Sequence, residues 1–383
     1  MTNFSLTPAQ KMIQRIVRDF AQKEVEPLAS IIDEEERFPY ETVEKMAAMN
    51  LLAVIVPREY GGASADALSY IIAVEELSKV CASTGGILAA LNSLFCYPLT
   101  KYGTEEQKHK FLTPITKGKK LGAFALTEPE AGSDAIRQDT TAIPDGDNYV
   151  INGTKIFISG GDIADFVIVF AKVVPNRKKL RGRITAFIVE KGMPGFSTGT
   201  KEKKLGIRAS GTSELVFEDC VVPRENILGE VAQGFEIAMD VLDNGRISIG
   251  AQALGIATGA FEAATKYSKE RKQFGQPICK FQAIQWMLAD MSTQIEAARL
   301  LVYKAAIYKD EGRPLSMVSA QAKLYASEVA MHTTTKAIQI HGGYGYMRDY
   351  PLERYFRDAK ITEIYEGTSE IQRLVIASNL LKG

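Results

Sequence analysis

Near the end of the chain stands Ile364-Tyr365-Glu366-Gly367-Thr368-Ser369-Glu370, a lone carboxylate between an aromatic ring and a glycine, ahead of a helical tail over 371–381. The glycine permits a turn with close backbone packing, and the ring can keep water away. A carboxylate desolvated in this way has a raised pKa and is a stronger general base. A solvated glutamate in a turn uses the same residues, and Glu366 by itself does not decide between the two readings.

Three further segments carry residue types that hold a reacting group. Phe124-Ala125-Leu126-Thr127-Glu128-Pro129, followed by Ala131-Gly132-Ser133-Asp134, sets hydroxyls and small residues where exposed N–H groups can meet an anionic or polar ligand. In Arg271-Lys272-Gln273-Phe274-Gly275 two cations meet an aromatic and a tight turn, as in a phosphate clamp, although a surface salt bridge explains an isolated case equally well. In Gln339-Ile340-His341-Gly342-Gly343-Tyr344-Gly345-Tyr346 a glycine-rich break follows a helix; a C-cap accounts for one glycine but not for three.

These segments need elements to position them. Over 1–120 the pattern is helical: Thr7, Pro8 and Gln10 supply an N-cap, a first-turn proline and a capping-box partner, and Ile13, Ile16, Val17 and Phe20 follow at helical spacing. A second helix is expected near Pro39 and a third over 70–79, with Pro57, Gly61 and Gly62 in a loop between them. Over 121–230 short β-branched and aromatic runs appear at 149–151, 155–159, 166–172, 184–190 and 214–217. Asp145-Gly146, Asn152-Gly153, Gly160-Gly161 and Pro194-Gly195 punctuate them as turns. No long helical pattern separates the runs, which predicts an antiparallel sheet, a small barrel or sandwich. Over 231–383 the helical period returns. Ile284, Met287, Leu288, Met291, Ile295, Ala298 and Val302 form one apolar stripe, as in a four-helix bundle, and the stretch 245–264 is rich in Gly and Ala, which lets helices approach closely. The expected fold is α+β in three domains, 1–120, 121–230 and 231–383.

Composition excludes several classes. The chain has 383 residues, more than one core holds, with 46% hydrophobic and 24% charged residues and no net charge, so nothing global points to nucleic acid or an anionic membrane. Cys81, Cys96, Cys220 and Cys279 form no C-x-x-C pair, which fits a reduced compartment without a zinc site. No apolar run reaches membrane-span length and no secretory signal is visible, so a soluble intracellular protein is expected. There is no G-x-G-x-x-G after a strand, no P-loop and no G-x-S-x-G. One Glu-x-x-His pair, Glu106 to His109, sits in a very polar run and is better read as a solvated helix face than as a di-iron site.

The segments LTEPEAGSD (126–134), RKQFGQPICKFQ (271–282), QIHGGYGY (339–346) and IYEGTSEIQ (364–372) together resemble an acyl-CoA dehydrogenase of the short-chain, butyryl type, in order, spacing and α–β–α layout across essentially the whole chain. The resemblance implies FAD as cofactor, a CoA thioester as substrate and α,β-dehydrogenation as the reaction. It makes Glu366 the base that takes the α-proton while flavin N5 accepts the β-hydride, and it places the thioester oxygen on the Glu366 N–H and a ribityl hydroxyl. Phe124, Leu126, Thr127, Gly132 and Ser133 match the segment at the isoalloxazine and pyrophosphate, and Ser133 also borders the substrate. Phe157, Ile158 and Ser159 match the strand beside the ring, with phenylalanine where many relatives carry tryptophan. Arg271, Phe274, Gln282, Gln339, Gly342 and Gly343 match FAD contacts across a subunit interface, and Thr368 and Glu370 match residues after the base. Phe235, Asp243 and Arg246 match positions along the CoA thioester, with Tyr365 and Gly367 beside the acyl group. No metal is implied.

Two positions narrow the subfamily. Isovaleryl- and long-chain-type relatives carry the base just before the arginine equivalent to Arg246, where this chain has Gly245. Glutaryl-type relatives carry an acyl-pocket arginine near Gly85 and Gly86, so a dicarboxylate is disfavoured. The resemblance further implies a homotetramer built as a dimer of dimers, an electron-transferring flavoprotein as partner, and a cytoplasmic location, or a mitochondrial matrix location after removal of a presequence. The fold also supports oxidases, enoyl-CoA reductases and an inactive CoA-binding scaffold.

Overall fold

The computed structural model describes residues 5–174 and 183–382. Helix α1 (Pro8–Phe20) starts with the expected capping box: the Thr7 hydroxyl accepts from the Gln10 N–H at 3.3 Å and the Gln10 side chain accepts from the Thr7 N–H at 2.9 Å. A π-turn carries the chain into α2 (Glu26–Glu34), and α3 (Tyr40–Ala48) begins directly after Pro39. All twelve residues of α4 (Ala67–Ser78) are buried, because α1, α5 (Ala82–Ala90) and the C-terminal helices cover it on several sides. A π-helical turn over Leu91–Cys96 leads into α6 (Tyr97–Tyr102), and the short α7 (Glu105–Gln107) and α8 (Thr113–Thr116) close this part.

The middle of the chain is an eight-stranded sheet: β1 (Gly122–Ala125), β2 (Thr141–Asp145), β3 (Asn148–Ser159), β4 (Phe166–Val173), β5 (Arg183–Glu190), β6 (Phe196–Lys201), β7 (Thr212–Pro223) and β8 (Ile227–Leu228), in the order β6-β7-β3-β2-β4-β5-β8 with β1 on β4. Most neighbours are antiparallel, as expected. Two pairings are parallel instead: β1 runs beside β4 over Gly122↔Phe166 to Ala125↔Val169, and β2 continues beside β4 at Thr141↔Lys172 and Ala142↔Val173. β1 and β2 do not pair with each other; both run along the same edge of β4 and in the same direction. Between them the chain leaves the sheet, and that excursion, 126–140, carries the Thr127 to Ser133 segment.

A second difference concerns Asn152-Gly153, which is no turn. Strand β3 runs straight through it with a register shift against β7 between Ile151 and Gly153, and Gly153 has φ +147°. A Cβ at Gly153 would sit 2.5 Å from the Thr140 hydroxyl, so the glycine is there for a bulge rather than a reversal.

The C-terminal part is built on α9 (Gly234–Glu270), in which every residue from Asn244 to Ala260 is buried. Its glycines explain how: a Cβ at Gly255 would stand 2.5 Å from the Glu75 carbonyl oxygen, so α4 and α9 touch backbone to backbone. After the hairpin β9 (Lys272–Gln273) and β10 (Gln276–Pro277) come α10 (Gln282–Asp310), α11 (Ser316–His341), α12 (Leu352–Ile361) and α13 (Ser369–Leu381), the last packed along α11. On α10 the predicted stripe is buried at Met291, Ile295, Ala298 and Val302 but only half-buried at Ile284, Met287 and Leu288.

Candidate active site

Glu366 sits in the turn between α12 and α13 with φ +52°, followed by Gly367 at φ +95°. A left-handed glutamate is strained by about 1–3 kcal/mol and persists only where its surroundings over-determine it. Here they do. The Thr368 hydroxyl caps α13 by accepting from the Ile371 N–H at 3.3 Å, and the buried Gln372 side chain donates to the carbonyls of Glu366 (3.3 Å) and Gly367 (2.8 Å). The Lys323 ammonium on α11 donates to the Gly367 carbonyl at 2.5 Å.

The turn aims the carboxylate at α9. A Cβ built on Gly245 would overlap Glu366 Oε2, so the side chain occupies the volume that any other residue at 245 would fill. The two places from which a base could act thus meet in space, and only one is occupied. Oε2 is enclosed and has no hydrogen-bond partner among the described residues. Burial pushes the Glu366 carboxyl up to about 7, and the nearby cations Lys323 and Arg246 hold it from rising further. The Glu366 N–H has no protein acceptor among the described residues.

Asp243 and Arg246, which flank Gly245 on α9, pair with each other, and Arg246 is only 5% exposed. The Tyr365 hydroxyl bonds the Gln252 side-chain oxygen, and the Gln252 amide donates to the Ala82 carbonyl at 2.8 Å. Asp243, Arg246, Tyr365, Glu366 and Gly367 are therefore brought together. Phe235 lies eleven residues before Arg246 on the same helix, about 16 Å away at ~1.5 Å per residue.

The β-sheet segment has its own support. Lys155, fully buried in β3, donates to the Leu126 carbonyl (3.0 Å), Glu128 (2.7 Å) and Gln138 (2.8 Å), which ties the excursion down. The Thr127 carbonyl accepts from the Ile156 N–H at 3.0 Å, so Thr127 and Phe157 become neighbours. A second register shift of β3, between Lys155 and Ile158, turns Phe157 outward at φ +56°, 60% exposed, while Ile158 is buried and Ser159 exposed. Phe124 and Leu126 face inward, the Phe124 ring 4.9 Å from that of Phe170, whereas Gly132 and Ser133 are exposed. The π-turn after α5 joins the two places: Leu94 lies beside Gly245, and Phe95 fills the space next to Gly122 and stacks on Phe166.

The remaining candidates form a different cluster. Arg271 caps the far end of α9 and lies over the Tyr344 ring at 5.4 Å; Phe274, at φ +52°, is 94% exposed. Gln282 opens α10, and Gln339, Gly342 and Gly343 stand exposed at the end of α11. Arg271 follows Gly245 by twenty-six helical positions, about 39 Å. One chain does not bring this cluster to Glu366. Thr368 and Glu370 stay with the Glu366 turn.

Lys323, Gln372 and Gln252 were missed by the sequence reading. For Lys323 a signal existed: Ser319, Ala322, Ala326, Ser327 and Ala330 form the buried face of α11, and the lysine falls inside it.

Comparison with known proteins covers the whole chain. Family models described as the acyl-CoA dehydrogenase N-terminal, middle and C-terminal domains match residues 7–119, 123–220 and 232–381. The short-chain specific acyl-CoA dehydrogenase of Clostridium acetobutylicum is 57% identical, over 99% of this chain and 100% of that protein. An acryloyl-CoA reductase (NADH) of Anaerotignum propionicum is 53% identical over 99% of this chain and 96% of its own length. The structure of butyryl-CoA dehydrogenase from Megasphaera elsdenii superposes with a TM-score of 0.96 at 50% identity, covering 100% of both chains.

Proposed function

The chain belongs to the acyl-CoA dehydrogenase family, and from that premise we propose that Glu366 is the base in an FAD-dependent α,β-dehydrogenation of a short-chain acyl-CoA thioester to its trans-2-enoyl-CoA. One observation carries the assignment: a half-buried glutamate whose enclosed Oε2 has no hydrogen-bond partner among the described residues, poised near 7 in a strained turn.

The residues present fit FAD. At Gly132, Gly342 and Gly343 a Cβ would meet nothing within 4 Å, and Phe157 presents an exposed face at a strand bulge beside Thr127. Phe124, Leu126, Thr127, Ser133, Ile158, Ser159, Thr368 and Glu370 would hold it from this chain. When bound, FAD supplies the acceptor for the hydride that leaves the β-carbon. Everything else is done by the protein. Glu366 removes the α-proton, and its unpaired N–H donates to the thioester oxygen as negative charge develops there; such a donor supplies about 2.7–4 kcal/mol of transition-state stabilisation. Tyr365 and Leu94 keep water from the carboxylate. Phe235, Asp243 and Arg246, all on α9, would border the CoA thioester.

Short acyl length is supported by the Tyr365–Gln252–Ala82 link, since Gln252 lies two turns beyond Gly245 on the same face of α9. A side chain at Gly86 would approach Gln252 Nε2 at 2.9 Å, which speaks against a pocket arginine and a dicarboxylate. Arg271, Phe274, Gln282, Gln339, Gly342 and Gly343 lie too far from Glu366 to serve the same flavin within one chain. This supports a paired subunit, and with it the tetramer. Electrons then leave for an electron-transferring flavoprotein.

The kinship with an acryloyl-CoA reductase favours a second reading, the reverse reaction, in which Glu366 starts protonated and delivers its proton to the α-carbon. A group near 7 serves either direction. Anaerobic addition of acyl-CoAs of four to sixteen carbons, followed by absorbance of the bound flavin, tests the proposal. Bleaching by the four-carbon thioester supports it; bleaching only by long chains removes the short-chain assignment, and rapid reoxidation by oxygen alone with peroxide formed makes the protein an oxidase.

A further inference from the structure

Lys323 is fully buried two turns into α11, and no carboxylate among the described residues lies within ion-pair distance of it. An unpaired buried ammonium is expensive, and packing alone would favour an apolar residue. Its hydrogen bond goes to the Gly367 carbonyl at 2.5 Å, the same oxygen that Gln372 holds from the other side at 2.8 Å. The charges that act on it come from three packed elements: Glu366 and Glu363 in the turn after α12, Arg246 on α9 with its partner Asp243, and Glu370 at the start of α13. Glu366 is foremost among the carboxylates.

Resting on the reading of Glu366 as the base, we propose that Lys323 is a positioning residue that locks the Glu366–Gly367 turn by its carbonyl and, through its positive charge, sets the pH at which the base becomes available. Burial of Glu366 favours the protonated acid, and a cation under the turn opposes that; burial in turn pushes the Lys323 ammonium down to about 8, so the two groups titrate in neighbouring ranges. A lysine that served only packing would leave the acid limb of the activity profile where it is.

The test compares FAD-loaded wild type with Lys323→Gln, which keeps a donor for the Gly367 carbonyl but no charge, and Lys323→Met, which keeps neither. kcat/KM is measured from pH 5.5 to 9.5 alongside the melting temperature. In both variants the acid limb should move up by on the order of one pH unit, with roughly tenfold lower kcat/KM at pH 6.5 and recovery near pH 9. Only Lys323→Met should lose melting temperature as well. Unmoved limbs, with activity falling only as stability falls, overturn the proposal, and so does failure of both variants to fold. Glu366→Gln, run in parallel, separates this outcome from failure of its premise: if it keeps turnover, the base assignment itself is wrong, whereas if it is inactive while the lysine variants keep the wild-type limb, only the role of Lys323 falls.

Discussion

The two ends of α9 are built on opposite principles. At the Gly245 end, α9, α11, α13 and one strained turn enclose one oxygen of a half-buried glutamate, and each group that shapes it comes from the same chain. At the Arg271 end the phenylalanine and the glycines stand open, with a single cation over a tyrosine ring. The first end gains its chemistry from desolvation, which needs tight packing within one chain. The second presents donors and apolar surface that one chain leaves uncovered, as suits a grip on something shared with another subunit.

The largest expected effect breaks the first end. Glu366→Gln should lower turnover by about 10²–10⁴-fold or more while FAD and acyl-CoA binding persist; retained turnover would remove Glu366 from its role. Gly245→Ala comes next. The added methyl would displace the carboxylate, and a misplacement of about 1 Å costs up to roughly 10²-fold in kcat. Steady-state kinetics with unchanged FAD content would show it; normal kcat would mean the turn has room to shift.

The same carboxylate should leave a mark on stability. Its folded pKa, about 7, is above the unfolded value, so the native state binds more protons between roughly pH 4.5 and 7 and stability falls as pH rises through that window. Glu366→Gln should therefore be more stable than wild type at pH 7.5, by on the order of 2–3 kcal/mol, and equal to it near pH 4.5. Urea unfolding at the two pH values checks the difference, and its absence would mean that the carboxylate is solvated.

The second end answers to a gentler change. Arg271→Ala should weaken FAD retention by about 1.5–3 kcal/mol, the scale of a charged hydrogen bond, while kcat at saturating FAD stays close to wild type. Titration of the apoprotein with FAD measures it. Unchanged affinity would separate this end of α9 from the cofactor.

Much of this was legible beforehand. Thr7, Pro8 and Gln10 announce the first helix because capping is local chemistry, and Asp145-Gly146 marks a hairpin for the same reason. Asn152-Gly153 misled because a turn and a bulge ask the same of a glycine, and only the strand β7 alongside tells them apart. The parallel pairing of β1 and β2 on β4 was hidden because it depends on partners distant in sequence.

By itself the sequence determined the α–β–α order and the four motif segments that carry the family resemblance, Glu366 among them, since each is set by residue types over a few consecutive positions. The tertiary structure decided what that carboxylate is worth. It alone placed Gly245 opposite Glu366, Lys323 beneath the turn and Arg271 far away along the same helix. Desolvation and Coulomb energy depend on distance through space, and spacing along the chain does not contain that distance.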